Sequence, residues 1–198
     1  MNASEILHGV TGAWRIAMRD PDAARHFNLS DAGFFRSFLA LAFALPIIFF
    51  TTTSLWRMGQ SIDALADVSF SAFAMTQIGG ELFYWAIYLL AMVPVARHLK
   101  LGASFGAYVV TFNWGVLMTS SLMAVPLLLY SVGLFNGQVA VMLTLPIFGL
   151  VAWYRWQIAR VVLGATPSAA IAILVFDFVL GAVLDQGLGR LLLTPAAG

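Results

Sequence analysis

The chain has 198 residues, of which 61% are hydrophobic and 10% charged, against roughly 25% charged in soluble globular proteins. That balance excludes an ordinary soluble domain, and a net charge of +1 gives no global attraction to nucleic acid. The absence of cysteine excludes disulfides, thiolate metal sites and cysteine nucleophiles.

The apolar residues fall in long runs, several near the roughly 20 residues that a helix needs to cross a hydrocarbon core about 30 Å thick. A spanning β-barrel needs segments of about ten alternating residues, and these runs contradict it. Helices then remain as the way to satisfy every backbone group in lipid. The expected fold class is all-α: a polytopic transmembrane bundle of five spans with an amino-terminal amphipathic surface helix.

Residues 1–30 form the first segment, cytoplasmic or interfacial. Arg15, Arg19, Asp20, Asp22 and Arg25 interrupt it and Asp31 follows it, so it is not expected to be a cleaved secretory signal. From Ser4 to Arg19, Ile6, Leu7, Val10, Trp14, Ala17 and Met18 recur at helical spacing, with Glu5, Thr11, Arg15 and Arg19 on other faces. Such a helix lies along the membrane with Trp14 at headgroup level, or packs against the protein's own cytosolic loops. Asp20-Pro21 ends it.

Residues 31–198 form the five-span domain. Asn28 to Ser30 offers helix caps before a first span at about 34–55, with Pro46 as an expected kink. The loop from Arg57 to Phe73 alternates apolar and polar residues and predicts a short surface helix. A second span follows at about 76–96, then the basic connection Arg97, His98 and Lys100, and a third span at about 104–129. Ser131 to Gln138 predicts a turn, a fourth span runs over about 139–156, Gly164 to Ser168 turns again, and a fifth span covers about 169–190.

With five spans, Arg15, Arg19, Arg25, Arg36, Arg97, Lys100, Arg155 and Arg160 fall on one side, and Arg57 and Arg190 on the other. Eight against two places the amino terminus in the cytoplasm and the carboxyl terminus outside, which for a bacterial inner membrane is the periplasm.

Asp177 is the clearest site candidate, because an ionisable group deep in a span is costly and has a partner or a function. It is protonated, faces a wet cavity, or accepts hydrogen bonds from another helix, for which Asn113 at similar depth is the expected donor. Trp153, Tyr154, Arg155, Trp156 and Arg160, with Trp14, are expected membrane-interface anchors. Asp185, Gln186 and Arg190 predict an intrahelical end-anchor. Glu81, beside Tyr84 and Trp85, is placed near the outer end of its span, within reach of Arg57 or water. Gly102 and Gly106 have the spacing of closely packed membrane helices.

Gly102-Ala103-Ser104 has the small-residue character of an intramembrane serine nucleophile, but His8, His26 and His98 all lie outside the spans. Their positions also argue against a bundle-held haem. Asp177 lacks a facing carboxylate, and phosphate-loop and zinc motifs are absent. No catalytic residue, metal ligand or cofactor is expected.

Lys100-Leu101-Gly102-Ala103-Ser104-Phe105, then Phe112-Asn113-Trp114 and Pro126, and Trp153 to Gly164 with Ala169-Ala170, are loose patterns in which the chain resembles the YIP family. These are the Ypt/Rab-interacting five-span membrane proteins, here their bacterial branch. The amino-terminal Asp-Leu-Tyr-Gly-Pro signature of the eukaryotic members is absent. The resemblance implies five spans, a cytoplasmic amino terminus and a scaffold or membrane-organising role. The expected function is therefore a non-enzymatic scaffold or accessory subunit of the bacterial inner membrane, in contact with the lipid bilayer and with itself or other chains through its helices. The alternative is a small transporter or proton-coupled permease using Asp177, supported by Asn113 and the helix-breaking Pro46, Pro126 and Pro146.

Overall fold

The computed structural model describes residues 2–62 and 64–193, with side chains as far as residue 187. Helix α1 (Ala3–Ala17) is followed by a 3-10 turn (Ala23–His26), α2 (Asp31–Ser37), α3 (Ala40–Gln60), α4 (Phe70–His98), a second 3-10 turn (Gly102–Ser104), α5 (Phe105–Ser131), α6 (Gly137–Val161) and α7 (Pro167–Leu193). No strand occurs among the described residues. Five stretches are long and apolar enough to cross a bilayer: Asp31–Gln60, Phe70–His98, Gly102–Ser131, Gly137–Val161 and Pro167–Gly187. The protein is a polytopic helical bundle, and each of the five stretches overlaps one of the expected spans.

The helix starts follow from side-chain oxygens that accept otherwise unpaired first-turn N–H groups. Asn2, Ser30, Ser69, Asn136 and Thr166 accept from Glu5, Gly33, Ala72, Val139 and Ala169 at 2.9, 3.1, 3.2, 2.9 and 3.3 Å. Four chain reversals use left-handed backbone after a helix. Gly133 and Gly164, both at φ +76°, adopt it without strain, whereas Arg19 and Lys100 adopt it at φ +59°.

Helix α5 is the centre of the bundle. All nine residues from Tyr108 to Val116 are buried, which requires neighbours on every side. Helices α2, α3 and α6 flank it, and α7 packs between α4 and α6. The perimeter carries large exposed apolar side chains such as Leu90, Val175 and Val179. An apolar belt of this kind suits hydrocarbon rather than water.

Two expectations are corrected. The segment between α3 and α4 contains no helix among the described residues, because α3 runs on to Gln60, whose amide donates to the Leu65 carbonyl at 2.6 Å and folds the segment back. The first span is interrupted between α2 and α3 at Phe38 and Leu39, where the bonding tightens to i→i+3, and Pro46 lies inside α3.

Helix α1 packs on the bundle end formed by the start of α5 and the end of α6, hereafter the proximal end. It divides into three sectors. Gly9, Gly12, Ala13 and Ile16 are buried against the protein. Leu7, Val10, Trp14 and Met18 form an exposed apolar stripe. His8, Thr11, Arg15 and Arg19 occupy the remaining arc. The small residues permit the dock, since a Cβ on Gly9 would lie 2.4 Å from the Trp114 ring and one on Gly12 would lie 2.7 Å from Phe27. Packing against the protein and an apolar face turned outward are thus combined in one helix.

Candidate functional site

Asp177 is the eleventh of the 27 residues of α7, and Tyr84 is the fifteenth of the 29 residues of α4. Both stand well inside helices long and apolar enough to cross a membrane. Asp177 is 2% exposed. Its Oδ2 accepts from Arg155 Nη1 of α6 at 2.5 Å, and its Oδ1 accepts from the Tyr84 hydroxyl. Arg155 Nη1 also donates to the Tyr84 oxygen at 2.6 Å, closing a triangle across α4, α6 and α7. The guanidinium carbon lies 5.7 Å from the Tyr84 ring centroid and 5.5 Å from that of Phe112. A paired, hydrogen-bonded and ring-flanked charge is the form in which an ion persists at this depth.

On the proximal side of the triangle lies an aromatic column. Tyr84 stacks on Tyr88 at 6.0 Å, Tyr88 on Phe112 at 4.8 Å, and the hydroxyls of Tyr88 and Tyr108 are 2.6 Å apart. Beside it, Asn113 stitches three helices: its Oδ1 accepts from Trp85 Nε1 at 3.1 Å, and its Nδ2 donates to Ser37 Oγ at 2.9 Å. Asn113 is therefore not the partner of Asp177. Its hydrogen bonds go to α2 and α4, and Arg155 and Tyr84 take the carboxylate.

On the distal side a cavity of about 1230 Å³ opens between α3, α4, α5, α6 and α7. Its lining comes from the distal halves of these helices and from the triangle itself, which forms its floor. Thr52, Thr119 and Thr144 contribute hydroxyls that already bond to helix carbonyls of Ile48, Val116 and Ala140. Glu81, one helical turn distal to Tyr84, lines the wall, and Asp185 lines it two turns beyond Asp177. Glu81 forms no ion pair with Arg57 among the described residues. The expected Asp185, Gln186 and Arg190 anchor includes a side chain, that of Arg190, outside the described residues.

A second cavity, of about 340 Å³, lies at the proximal end between α1, the first 3-10 turn, α2 and α5. His8, His26 and Arg36 line its walls, and Ser37 and Trp114 lie at its inner end. The aromatic column and the Asn113 bonds separate it from the distal cavity.

The expected interface anchors divide. Trp14 is exposed, Trp153 lies 5.2 Å beneath the guanidinium of Arg19, and Trp156 lies 5.7 Å beneath that of Arg160. Arg160 also donates to the Ala165 carbonyl at 2.6 Å. Tyr154 and Arg155 are corrected. Tyr154 is 1% exposed and donates to the Ala13 carbonyl of α1 at 3.1 Å, and Arg155 is inside the bundle. Residues 153–156 are successive positions at about 100° intervals, so they cover a full helical turn and meet four different surroundings. Gly102 and Gly106 do not serve close packing within the chain, because nothing lies within 4 Å of where their Cβ atoms would stand, and the other use of this spacing, a face between copies, is left open.

Tyr84, Tyr88, Tyr108 and Ser37 had no motif to reveal them. No family model, no curated protein and no solved structure matches the chain.

Proposed function

We propose that the protein is a small permease of the bacterial inner membrane, which admits a solute from the distal face and holds it above the Arg155, Asp177 and Tyr84 triangle. The observation that carries this is the cavity of about 1230 Å³ that reaches the ion pair of Arg155 and Asp177 inside the bundle. A structural ion pair gains nothing from a large void beside it, whereas a gate must border the compartment it closes. The proximal cavity, on the other side of the aromatic column, is the natural exit. Asp177 acts here as half of a latch with Arg155, not as a lone proton carrier, and the role is passage without covalent chemistry. With Arg155 removed from the interface count, seven basic residues still accompany the α1 end against two at the other, which supports a cytoplasmic amino terminus and a periplasmic distal face.

Because the chain lacks cysteine, single cysteines report directly on water in the cavity. Ser120→Cys and Thr144→Cys are expected to react with a charged, membrane-impermeant thiol reagent applied to the face opposite α1, while Leu90→Cys and Val175→Cys on the perimeter stay unlabelled. Protection of both cavity positions would remove the proposal.

A second reading is favoured by the outward stripe of Leu7, Val10, Trp14 and Met18. It is a membrane-organising or accessory role, of the kind the YIP resemblance implies, with α1 resting on lipid or on another membrane chain. Purification in mild detergent with mass spectrometry of co-purifying chains tests it, and a lone monomer would count against it.

A further inference from the structure

Resting on the permease reading, we infer that the distal cavity is a binding site for a lipophilic organic cation. The cavity offers two kinds of surface. Ile48, Leu55, Met123, Leu127 and Val151 provide apolar walls contributed by three helices. Against these stand acids at three depths: Asp177 at the floor, Glu81 one turn above Tyr84, and Asp185 nearer the distal end. Eight residues separate Asp177 from Asp185, about 12 Å along α7.

Arg155 is the one basic residue among the described lining residues, and its charge is committed to Asp177 at 2.5 Å. Glu81 and Asp185 thus set the sign of the field in the cavity, and low-dielectric walls focus that field. An anion would meet two carboxylates with no cation to spare. A bare or hydrated metal ion would meet walls that are mostly hydrocarbon, where it needs six or more oxygen ligands. A neutral amphiphile would leave both acids without a counter-charge. An organic cation satisfies both surfaces at once, its apolar groups on the walls and its charge near Glu81.

Aromatic faces add to the match. Phe148 and Phe178 line the cavity as a contacting pair with centroids 4.7 Å apart, which puts aromatic rings within reach of a desolvated cation. The cavity, of about 1230 Å³ and open on one side, leaves room for a bulky cation with several apolar arms.

Tetraphenylphosphonium and tetraphenylborate are nearly identical in shape and opposite in charge, which isolates the sign of the site. Equilibrium dialysis against the full chain in nanodiscs, with empty nanodiscs subtracted, is expected to show saturable binding of the phosphonium and none of the borate. Glu81→Gln is expected to weaken the phosphonium at least about tenfold, and Asp185→Asn less, with helix content and thermal midpoint unchanged. Equal saturable binding of the two ions, or undiminished phosphonium binding in Glu81→Gln, would overturn the assignment. If Ser120→Cys and Thr144→Cys label but the phosphonium does not bind, the cation class falls while the compartment stands. If those cysteines do not label, the compartment falls as well.

Discussion

Arg155 and Asp177 lie eleven residues on either side of Thr166, which precedes α7 in the turn between α6 and α7, and their side chains meet at 2.5 Å. Arg155 stands six residues before the end of α6 and Asp177 ten residues after the start of α7, so the long arginine side chain spans the difference in depth between these neighbouring helices.

Breaking this pair by removing one partner leaves an uncompensated buried charge, at a cost of about 3–5 kcal/mol. Asp177→Asn and Arg155→Leu are each expected to lower thermal stability in detergent substantially. The double variant Arg155→Leu with Asp177→Asn should lose less than the two single effects combined, because neither charge remains. Additive losses in a double-mutant cycle would show that the two residues act independently.

The dock of α1 depends on Gly9. A Cβ there would stand 2.4 Å from the ring of Trp114, which is 4% exposed and hemmed in by the core. Gly9→Val is expected to release α1, since overpacking costs about 1–3 kcal/mol and the helix has few other large buried side chains. Hydrogen exchange of residues 3–17 measures it. Amide protection equal to that of the parent chain would show that Trp114 can yield.

Glu5 makes the same dock sensitive to acid. Burial pushes its carboxyl up, but the hydrogen bonds from Asn28 at 3.0 Å and Arg36 at 2.9 Å, with the Arg36 charge, outweigh that and hold it below the usual carboxylate range. A carboxyl lowered on folding stabilises the folded form above its unfolded pKa and loses that contribution as pH falls through the folded value. Protection of α1 is therefore expected to be constant near neutrality and to decline in acid below the ordinary Glu range. Arg36 is 44% exposed, so the contribution is at most about 1 kcal/mol and shrinks with salt. In Glu5→Gln the pH dependence of protection should flatten.

Two left-handed turns offer opposite outcomes. Gly164 at φ +76° carries no Cβ, and Gly164→Ala is expected to cost about 1 kcal/mol. Lys100 at φ +59° is a side-chain-bearing residue in the same backbone region, and Lys100→Gly should gain stability by relieving it, by about the same amount. Thermal midpoints in one detergent compare them, and a loss on Lys100→Gly would mean that its side chain, not its backbone, matters there.

The spans were legible because hydrocarbon demands long apolar runs, and Ser30 could be read as a cap because its hydroxyl precedes such a run. Asp177 stood out for the converse reason, a charge where lipid permits none. Its partner did not stand out. Arg155 sits among Trp153, Tyr154 and Trp156, residues that also make an interfacial belt, and depth along α6 depends on where that helix ends. The sequence suggested an end near residue 156, whereas α6 runs to Val161, which carries Arg155 inward. The cavity was not legible at all, since it is set by how far apart five helices stand rather than by the identity of any residue.

The placement of Arg155 and Asp177 on consecutive helices also constrains how the chain enters the bilayer. Inserted singly, α6 or α7 would each carry a charge into the hydrocarbon, at about 2.5–3.5 kcal/mol on insertion scales. Delivered together as a hairpin, they arrive already neutralised. The last two spans are therefore expected to insert as one unit, since α6 arriving alone would bring its arginine to Tyr84 without the carboxylate that balances it.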